Sequence, residues 1–447
     1  MEAKKLNMVK SSKYKASFFT LGCRLNQAET SLISDSFKEK GYEIVDFGQP
    51  TDVCVINTCT VTEQADAKCR QLVRQVLKRS PEACIAVVGC YSQLGADELR
   101  QLEGVDLIIG TEEKMQVSDF IDVPQKFPEP IIRNGKIQKT SFTISSVGNY
   151  EHSTRANLKV QDGCDFMCTF CVIPFARGRA RSRAFWDIQR EAMQLVERGH
   201  KELVLSGVNI GTYSFEGKSL LDVIEMLESI PGLERIRISS IEPTTIPDEL
   251  IDFMAASNKL CHHLHIPLQS GDDAVLQNMR RLYTVAEYAK FLEKIRMRIP
   301  DICLGTDILV GFPGENETAF LNTKKIADEM PFAYFHVFPF SERHGTFAVK
   351  MHDKISEAVK KERSKILRKL SSQKRKRFCQ EQVGKKVRVL LEEKNARGFF
   401  QGYSDNYMKV ALPSENDLSN QLRYVHVTKM LPDGMAFGEL ASNQFYP

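Results

Sequence analysis

The run Leu158-Lys159-Val160-Gln161-Asp162-Gly163-Cys164-Asp165-Phe166-Met167-Cys168-Thr169-Phe170-Cys171 decides how this chain is read. Its first four residues are strand-like. Asp162-Gly163 then turns the chain into a loop that spaces Cys164, Cys168 and Cys171 as C-x3-C-x2-C. Three thiolates this close in sequence can converge on one metal cluster. Structural zinc normally takes four ligands from paired knuckles, and no fourth Cys or His lies near this loop. Three thiolates on a four-iron cube leave one iron open, which serves chemistry rather than structure. A zinc loop completed by a distant ligand such as His265 is the alternative.

Downstream, strand-like runs at 158–161, 202–205, 235–239, 263–268, 304–310 and 334–340 alternate with helical segments such as 184–198 and 317–329. Six β/α units predict a partial (β/α)6 barrel of the TIM type, and a doubly wound sheet fits the same pattern. In both, ligands gather at the carboxyl ends of the strands, so the cysteine loop lies on the catalytic rim. Upstream, residues 16–121 alternate in the same way, with strand-like runs at 16–21, 52–57, 84–88 and 106–109. This predicts an N-terminal doubly wound parallel sheet. The first three runs end in Gly22-Cys23, Thr58-Cys59 and Gly89-Cys90. Such strand ends are neighbours in space, so Cys23, Cys59 and Cys90 are expected to form a second three-thiolate site. Cys54 and Cys84 fall within strands and Cys69 on an apolar helical stripe, which reads as packing. Cys261, Cys303 and Cys379 belong to no constellation.

Around these two regions the chain changes character. Residues 122–156 carry Pro124, Pro128 and Pro130 and then a polar stretch, which reads as a linker or crossing segment. Residues 157–353 form the central domain and 354–382 a basic helical connector. Residues 354–388 hold fourteen Lys or Arg against three Asp or Glu, a net +11 within a chain of net +4. Such a run is a solvated helix face or a polyanion contact. Residues 383–447 read as short strands at 386–392, 399–404, 408–411, 423–429 and 435–439, a small C-terminal β-barrel of a class that often binds nucleic acid. The 447 residues suggest about three domains at about 150 residues each. With 42% hydrophobic and 26% charged residues, collagen-like and disordered classes are excluded. No run of about 18 apolar residues is present to span a membrane. Lys4, Lys5, Lys10 and Lys13 are followed by no apolar signal core, so a cytoplasmic chain is expected. Twelve cysteines in that reducing compartment point to metal or redox chemistry rather than disulfides.

The cysteine loop after the first barrel strand resembles the radical S-adenosylmethionine superfamily. With the second triad, the whole chain from about residue 16 onward resembles the methylthiotransferases: a cluster domain, a radical domain and the small RNA-binding barrel called TRAM. The matching stretches are TLGCRLNQAET (20–30), INTCTVTEQADAKCRQ (56–71), VVGCYSQ (87–93), QDGCDFMCTFCVIPFARGRARSR (161–183), HIPLQSG (265–271) and TDILVGFPGE (306–315). The threonylcarbamoyladenosine branch is the most similar. Its features here are Leu25-Asn26 after Cys23, Thr60-Val61-Thr62 after Cys59, and Gln161-Asp162-Gly163 before Cys164, where the isopentenyladenosine branch usually carries Arg-Gly.

The resemblance implies two 4Fe-4S clusters, held by Cys23, Cys59 and Cys90 and by Cys164, Cys168 and Cys171. It implies S-adenosyl-L-methionine as cofactor, cleaved to a 5′-deoxyadenosyl radical, and replacement of the C2–H of a modified adenine in tRNA by C–SCH3. Phe170, Ser206, Gly207, Asn209, Ser239, Glu242, Gln269 and Asp307 are the candidate cofactor contacts, the polar ones also readable as barrel-mouth hydrogen bonding. His263 and His265 read as buried, satisfied histidines. Arg177, Arg179, Lys374 and Arg375 are candidate RNA contacts. The aromatics Phe399, Phe400, Tyr403 and Tyr407 are read as stacking surface or core. tRNA and a reducing electron donor are the expected partners, with no membrane. An isopentenyladenosine tRNA or a ribosomal protein is the alternative substrate. A non-catalytic iron–sulfur or zinc RNA-binding protein is the reading from another class.

Overall fold

Val53–Thr58 and Cys84–Gly89 are buried along their whole length, as strands covered on both faces must be. They form the middle of a six-stranded parallel sheet. The computed structural model describes residues 14–148, 150 and 153–441; Lys4, Lys5, Lys10, Lys13 and the last six residues of the expected terminal barrel lie outside them. The chain divides into two compact units. One comprises Met1–Thr60 and Gln64–Ile137, the other Val61–Glu63 and Gln138–Pro447.

In the first unit β1 (Lys15–Thr20), β2 (Glu43–Val45), β3 (Val53–Thr58), β4 (Cys84–Gly89), β5 (Leu107–Ile109) and β6 (Ile131–Arg133) lie in the order β2-β1-β3-β4-β5-β6. The order reverses between β1 and β3. That switch opens a crevice at the carboxyl ends of these strands. Sequence periodicity misses β2 and β6, because three residues are too few to show a period. β6 pairs with β5 at Leu107↔Ile131, so the sheet runs on into the stretch expected to be a linker.

In the second unit the strand ends Arg155–Lys159 (β7) and Gln161–Asp162 (β8) frame the start of the cysteine loop, and β8 pairs with Arg181–Ser182 (β9). Glu202–Ser206 (β10), a short hairpin of Ser214–Phe215 (β11) and Lys218–Ser219 (β12), Arg235–Ile238 (β13), His263–His265 (β14), Cys303–Val310 (β15) and Tyr334–Pro339 (β16) follow. Two parallel sheets, β13-β10-β7 and β14-β15-β16, are joined by bridges at Ile236↔Leu260 and Ser240↔His265. The result is a six-stranded arc in chain order. Among the described residues β16 does not pair with β7, so the barrel is open. Leu158, Leu203, Leu205, Ile236, Ile238, Leu264 and Ile308 pack outward in the apolar core. By alternation, Arg155, Glu202, Arg235, Arg237, His263, His265, Asp307 and His336 face the lumen.

A closed five-stranded barrel follows: Lys386–Lys394 (β17), Phe400–Ser404 (β18), Lys409–Leu412 (β19), Leu422–Met430 (β20) and Ala436–Leu440 (β21), in the order β17-β18-β19-β21-β20. Its β18–β19 turn closes the amino-terminal end of the open barrel. Arg235 Nη1 donates to the Tyr403 carbonyl (2.9 Å) and Arg237 to the Ser404 and Asp405 carbonyls (both 3.1 Å). The Tyr407 ring lies 4.4 Å from His263. Glu202, fully buried, binds both arginines. Burial opposes its ionisation, but Arg235 and Arg237 overcome this and hold its carboxyl well below the usual carboxylate range.

Candidate metal centres

Gly163 makes the cysteine loop possible. Its φ is +70°, and a Cβ there would lie 2.1 Å from the Arg179 carbonyl oxygen. The two residues before it brace the loop. Gln161 Oε1 accepts from the Val208 and Asn209 amides (both 2.9 Å), while its Nε2 donates to the Gly163 carbonyl (2.7 Å). Asp162 accepts from Lys159 Nζ (2.7 Å), Arg177 Nη1 (2.9 Å) and the Gly163 amide (2.9 Å). The thiols that follow are gathered closely. Burial pushes Cys164 up to about 11 and Cys171 up to about 12, and neighbouring thiols add to both shifts. Burial also raises Cys168, against the pull of Arg281. A metal entering here must displace their protons. Arg281 Nη1 donates to Cys168 Sγ at 3.3 Å, and its Nη2 is paired with Glu242.

The rim beside the loop suits a polar ligand. Asn209 Nδ2 and Ser239 Oγ are buried without a hydrogen-bond partner among the described residues. Ser206 donates to the Val204 carbonyl (3.2 Å). A Cβ on Gly207 would meet Ile210 at 2.7 Å, so the backbone comes close there. Gln269 holds φ +68°, a strained conformation for a non-glycine residue at a strand end. Phe170 packs edge-on to Phe312, 6.4 Å between centroids. Asp307 is engaged in the lumen, its Oδ1 2.9 Å from His265 Nε2. His265 is thus not turned to the cysteine loop as a zinc ligand. His263 is buried and within 2.9 Å of the Tyr334 hydroxyl.

In the first unit the three other cysteines sit at the ends of β1, β3 and β4, which are adjacent in the sheet. Thr58 pairs with Gly89 in register, so Cys59 and Cys90 leave their strands side by side. Gly22 has φ +101°, and a Cβ on it would lie 2.6 Å from Cys59 Cβ, which puts the Cys23 turn against Cys59. Cys23 stands at the amino-terminal cap position of the helix Arg24–Glu39. The other six cysteines are all buried, and burial pushes Cys54, Cys69, Cys84 and Cys303 up to about 12. Cys54 and Cys69, Cys84, and Cys303 each pack within an apolar cluster.

The expected RNA contacts differ in exposure: Arg179 is exposed, Lys374 and Arg375 are half-buried and Arg177 is buried. Arg177 is buried against Asp162 and is not available to a phosphate. Lys374 donates to the Asp328 and Met330 carbonyls (2.6 and 2.7 Å), capping the helix Glu317–Glu329. Arg375 lies over the Tyr334 ring at 5.1 Å. Arg179 is exposed and paired with Asp165. Of the expected stacking aromatics, Phe400 is core and Tyr403 and Tyr407 meet the open barrel. Arg281 was not legible in the sequence. It follows Arg280 in the stretch Asn278-Met279-Arg280-Arg281-Leu282, 113 positions from the thiol it touches.

Residues 15–110 match the family model described as uncharacterized protein family UPF0004, and residues 158–327 match the Radical SAM superfamily. The chain is 40% identical over 420 residues to the threonylcarbamoyladenosine tRNA methylthiotransferase MtaB of Bacillus subtilis (strain 168), covering 92% of this chain and 93% of that protein. It is 38% identical to the protein of the same name from Aquifex aeolicus (strain VF5), over 85% of this chain and 93% of the relative. It is 34% identical to the tRNA-2-methylthio-N(6)-dimethylallyladenosine synthase of Methylobacillus flagellatus, over 92% and 96%. Among solved structures, the radical S-adenosylmethionine methyltransferase TsrM of Kitasatospora setae shares the fold at TM-score 0.55 and 14% identity, covering 73% of this chain and 75% of TsrM.

Proposed function

The chain belongs to the radical S-adenosylmethionine methylthiotransferase family, and from that premise we propose that it methylthiolates carbon 2 of N6-threonylcarbamoyladenosine next to the anticodon of tRNA. The observation that carries this is the pair of three-thiol groups, one at the ends of the parallel strands β1, β3 and β4 and one in the loop after β8, in a chain matching methylthiotransferases along nearly its whole length. Carbon 2 of adenine bears a hydrogen that is not acidic, so acid–base groups alone cannot open that bond. When bound, the two clusters and S-adenosyl-L-methionine supply the one-electron chemistry, the sulfur and the methyl group. Cys164, Cys168 and Cys171 hold one cluster, and Cys23, Cys59 and Cys90 the other.

The rest of the site orients and shields. Gln161 ties the thiol loop to the 206–209 turn, so the two move as one piece. Arg281 places a cation on Cys168, where a thiolate's charge needs an N–H donor. Asn209 and Ser239 offer buried polar atoms to the cofactor. Lys361, Lys365, Lys369 and Lys376, exposed on the helix Glu357–Gln380, take the place of Lys374 and Arg375 as phosphate contacts. Tyr424, 53% exposed with Lys386 4.6 Å from its ring centre, is the stacking candidate on the terminal barrel. No helix among the described residues is long and apolar enough to cross a membrane. We infer a cytoplasmic reaction, with tRNA as substrate and a one-electron donor as partner.

Nucleoside mass spectrometry on tRNA from cells lacking the protein tests this reading. The 2-methylthio form of threonylcarbamoyladenosine disappears and its precursor accumulates. Loss of the methylthio form of the isopentenyl nucleoside instead would transfer the protein to the other branch.

A further inference from the structure

Asn26, three places after Cys23, is a polar side chain only 1% exposed. Its amide has two N–H donors, and both go to carbonyls beside cysteines. Nδ2 donates to the Leu21 carbonyl at 2.7 Å and to the Thr58 carbonyl at 2.8 Å. Leu21 stands two residues before Cys23, and the Thr58 carbonyl belongs to the peptide that leads into Cys59. The Asn26 Oδ1 lies 3.8 Å from Cys23 Sγ. One side chain thus ties the turn after β1 to the end of β3. Asn57 braces it, its Nδ2 donating to the Asn26 carbonyl at 3.0 Å and to Thr30 Oγ1 at 3.1 Å.

Thr58 makes the matching link to the third cysteine. Its hydroxyl donates to the Val88 carbonyl (2.7 Å) and accepts from the Tyr91 amide (3.1 Å). Val88 and Tyr91 flank Gly89-Cys90, so the hydroxyl clips that turn from both sides. Thr58 is fully buried, and a Cβ on Gly89 would lie 3.0 Å from its carbonyl oxygen. These side-chain bonds lie where the strand pairings end, at Thr20↔Asn57 and Thr58↔Gly89, and they join all three cysteine turns. Three thiols gathered at one place repel one another once they lose their protons. The turns that carry them therefore need restraint from a surrounding shell of hydrogen bonds.

We propose that Asn26 and Thr58 are positioning residues for the cluster of the first unit. They hold the turns of Cys23, Cys59 and Cys90 together as one ligand set, and so determine how firmly that cluster is retained. The inference rests on the two-cluster reading and goes beyond it by naming what keeps this site in shape.

Asn26→Asp keeps the side chain's size but turns an oxygen, in place of two N–H donors, toward two carbonyls. Thr58→Val keeps the shape and removes the hydroxyl, and Thr58→Ser restores it. Each protein is reconstituted anaerobically, and its iron is followed during incubation with a ferrous chelator. Electron paramagnetic resonance of the reduced protein separates the two clusters, with Cys59→Ala supplying the signal of the Cys164, Cys168 and Cys171 cluster alone. Circular dichroism reports the fold. In Asn26→Asp and Thr58→Val the first unit's cluster is held about 10- to 100-fold less tightly, and iron falls from about eight toward about four per chain. The other cluster keeps its signal, and S-adenosylmethionine cleavage stays at the wild-type rate. Thr58→Ser retains both clusters. Wild-type iron retention in Asn26→Asp and Thr58→Val overturns the assignment. So does equal loss of both clusters, which would make these folding residues, and so does a Thr58→Ser protein that loses iron as Thr58→Val does. If the wild type itself holds only about four irons, the two-cluster reading fails and the positioning role falls with it. If the wild type holds about eight and the variants keep them, the positioning role alone fails.

Discussion

A cysteine's surroundings, more than its presence, separate ligand from filler in this chain. Cys164, Cys168 and Cys171 share one loop, and Arg281 acts on the last two, whereas Cys84 and Cys303 pack in apolar clusters. A four-iron cube on two thiolates is poorly anchored, so Cys168→Ala abolishes S-adenosylmethionine cleavage, and Cys84→Ala leaves it within about twofold. Release of 5′-deoxyadenosine under anaerobic, reducing conditions checks both. Arg281→Met removes the N–H donor on Cys168 and leaves Glu242 without its cation. Cleavage falls at least about tenfold while iron stays bound, a loss in keeping with one charge-assisted bond. Equal loss of iron and cleavage would make Arg281 a folding residue instead. Arginines also mark where a sequence reading fails at this scale. Arg177 and Arg179 stand two residues apart, yet one is buried on Asp162 and the other is exposed.

Elements place these side chains, and in the proposed reading the strand ends carry the chemistry. β1, β3 and β4 deliver three cysteines to one crevice because the sheet is parallel and reverses its order between β1 and β3. The amino-terminal ends of the open barrel carry stability instead, through Glu202, Arg235, Arg237 and the β18–β19 turn. Glu202 has a folded pKa below its unfolded value of about 4.3. Its contribution is therefore fully present above that value and is lost as pH falls through the folded one. Glu202→Gln leaves two buried guanidinium groups short of a counter-charge and destabilises the protein by about 3–5 kcal/mol at pH 7. The penalty shrinks as acid protonates the wild type. Urea midpoints between pH 7 and pH 3 check the sign, and a variant penalty that grows toward acid would reverse it. Truncation at residue 383 exposes the same arginines, so it lowers the melting temperature as well as any RNA affinity. Substitution of Lys361, Lys365 and Lys369 is the cleaner probe of RNA contact.

For the molecule as a whole, the two cysteine triads lie in separate compact units, which predicts separable functions. Cys59→Ala retains S-adenosylmethionine cleavage, loses methylthiolated nucleoside, and falls from about eight to about four irons per chain. Iron and both products are measured on one preparation, and normal methylthiolation would end the two-cluster assignment. Affinity for tRNA falls with salt in proportion to the phosphates neutralised, with a slope near about −0.7 per contact on single strands. Titration at several salt concentrations reads that slope, and a flat response would remove the basic helix from the interface. The sequence by itself determined the strand–helix alternation, the six barrel strands and both cysteine triads. Those features are written in neighbouring residues, as a period of two or 3.6 or as a fixed spacing after a strand. The tertiary structure alone decided which charges turn inward, that Arg281 reaches Cys168, that the β18–β19 turn closes the open barrel, and that His265, Asp307 and His336 meet in its lumen. Each of these joins residues from different elements, 168 positions apart for Arg235 and Tyr403. A contact of that range is made by how strands and helices pack, and it leaves no local pattern along the chain.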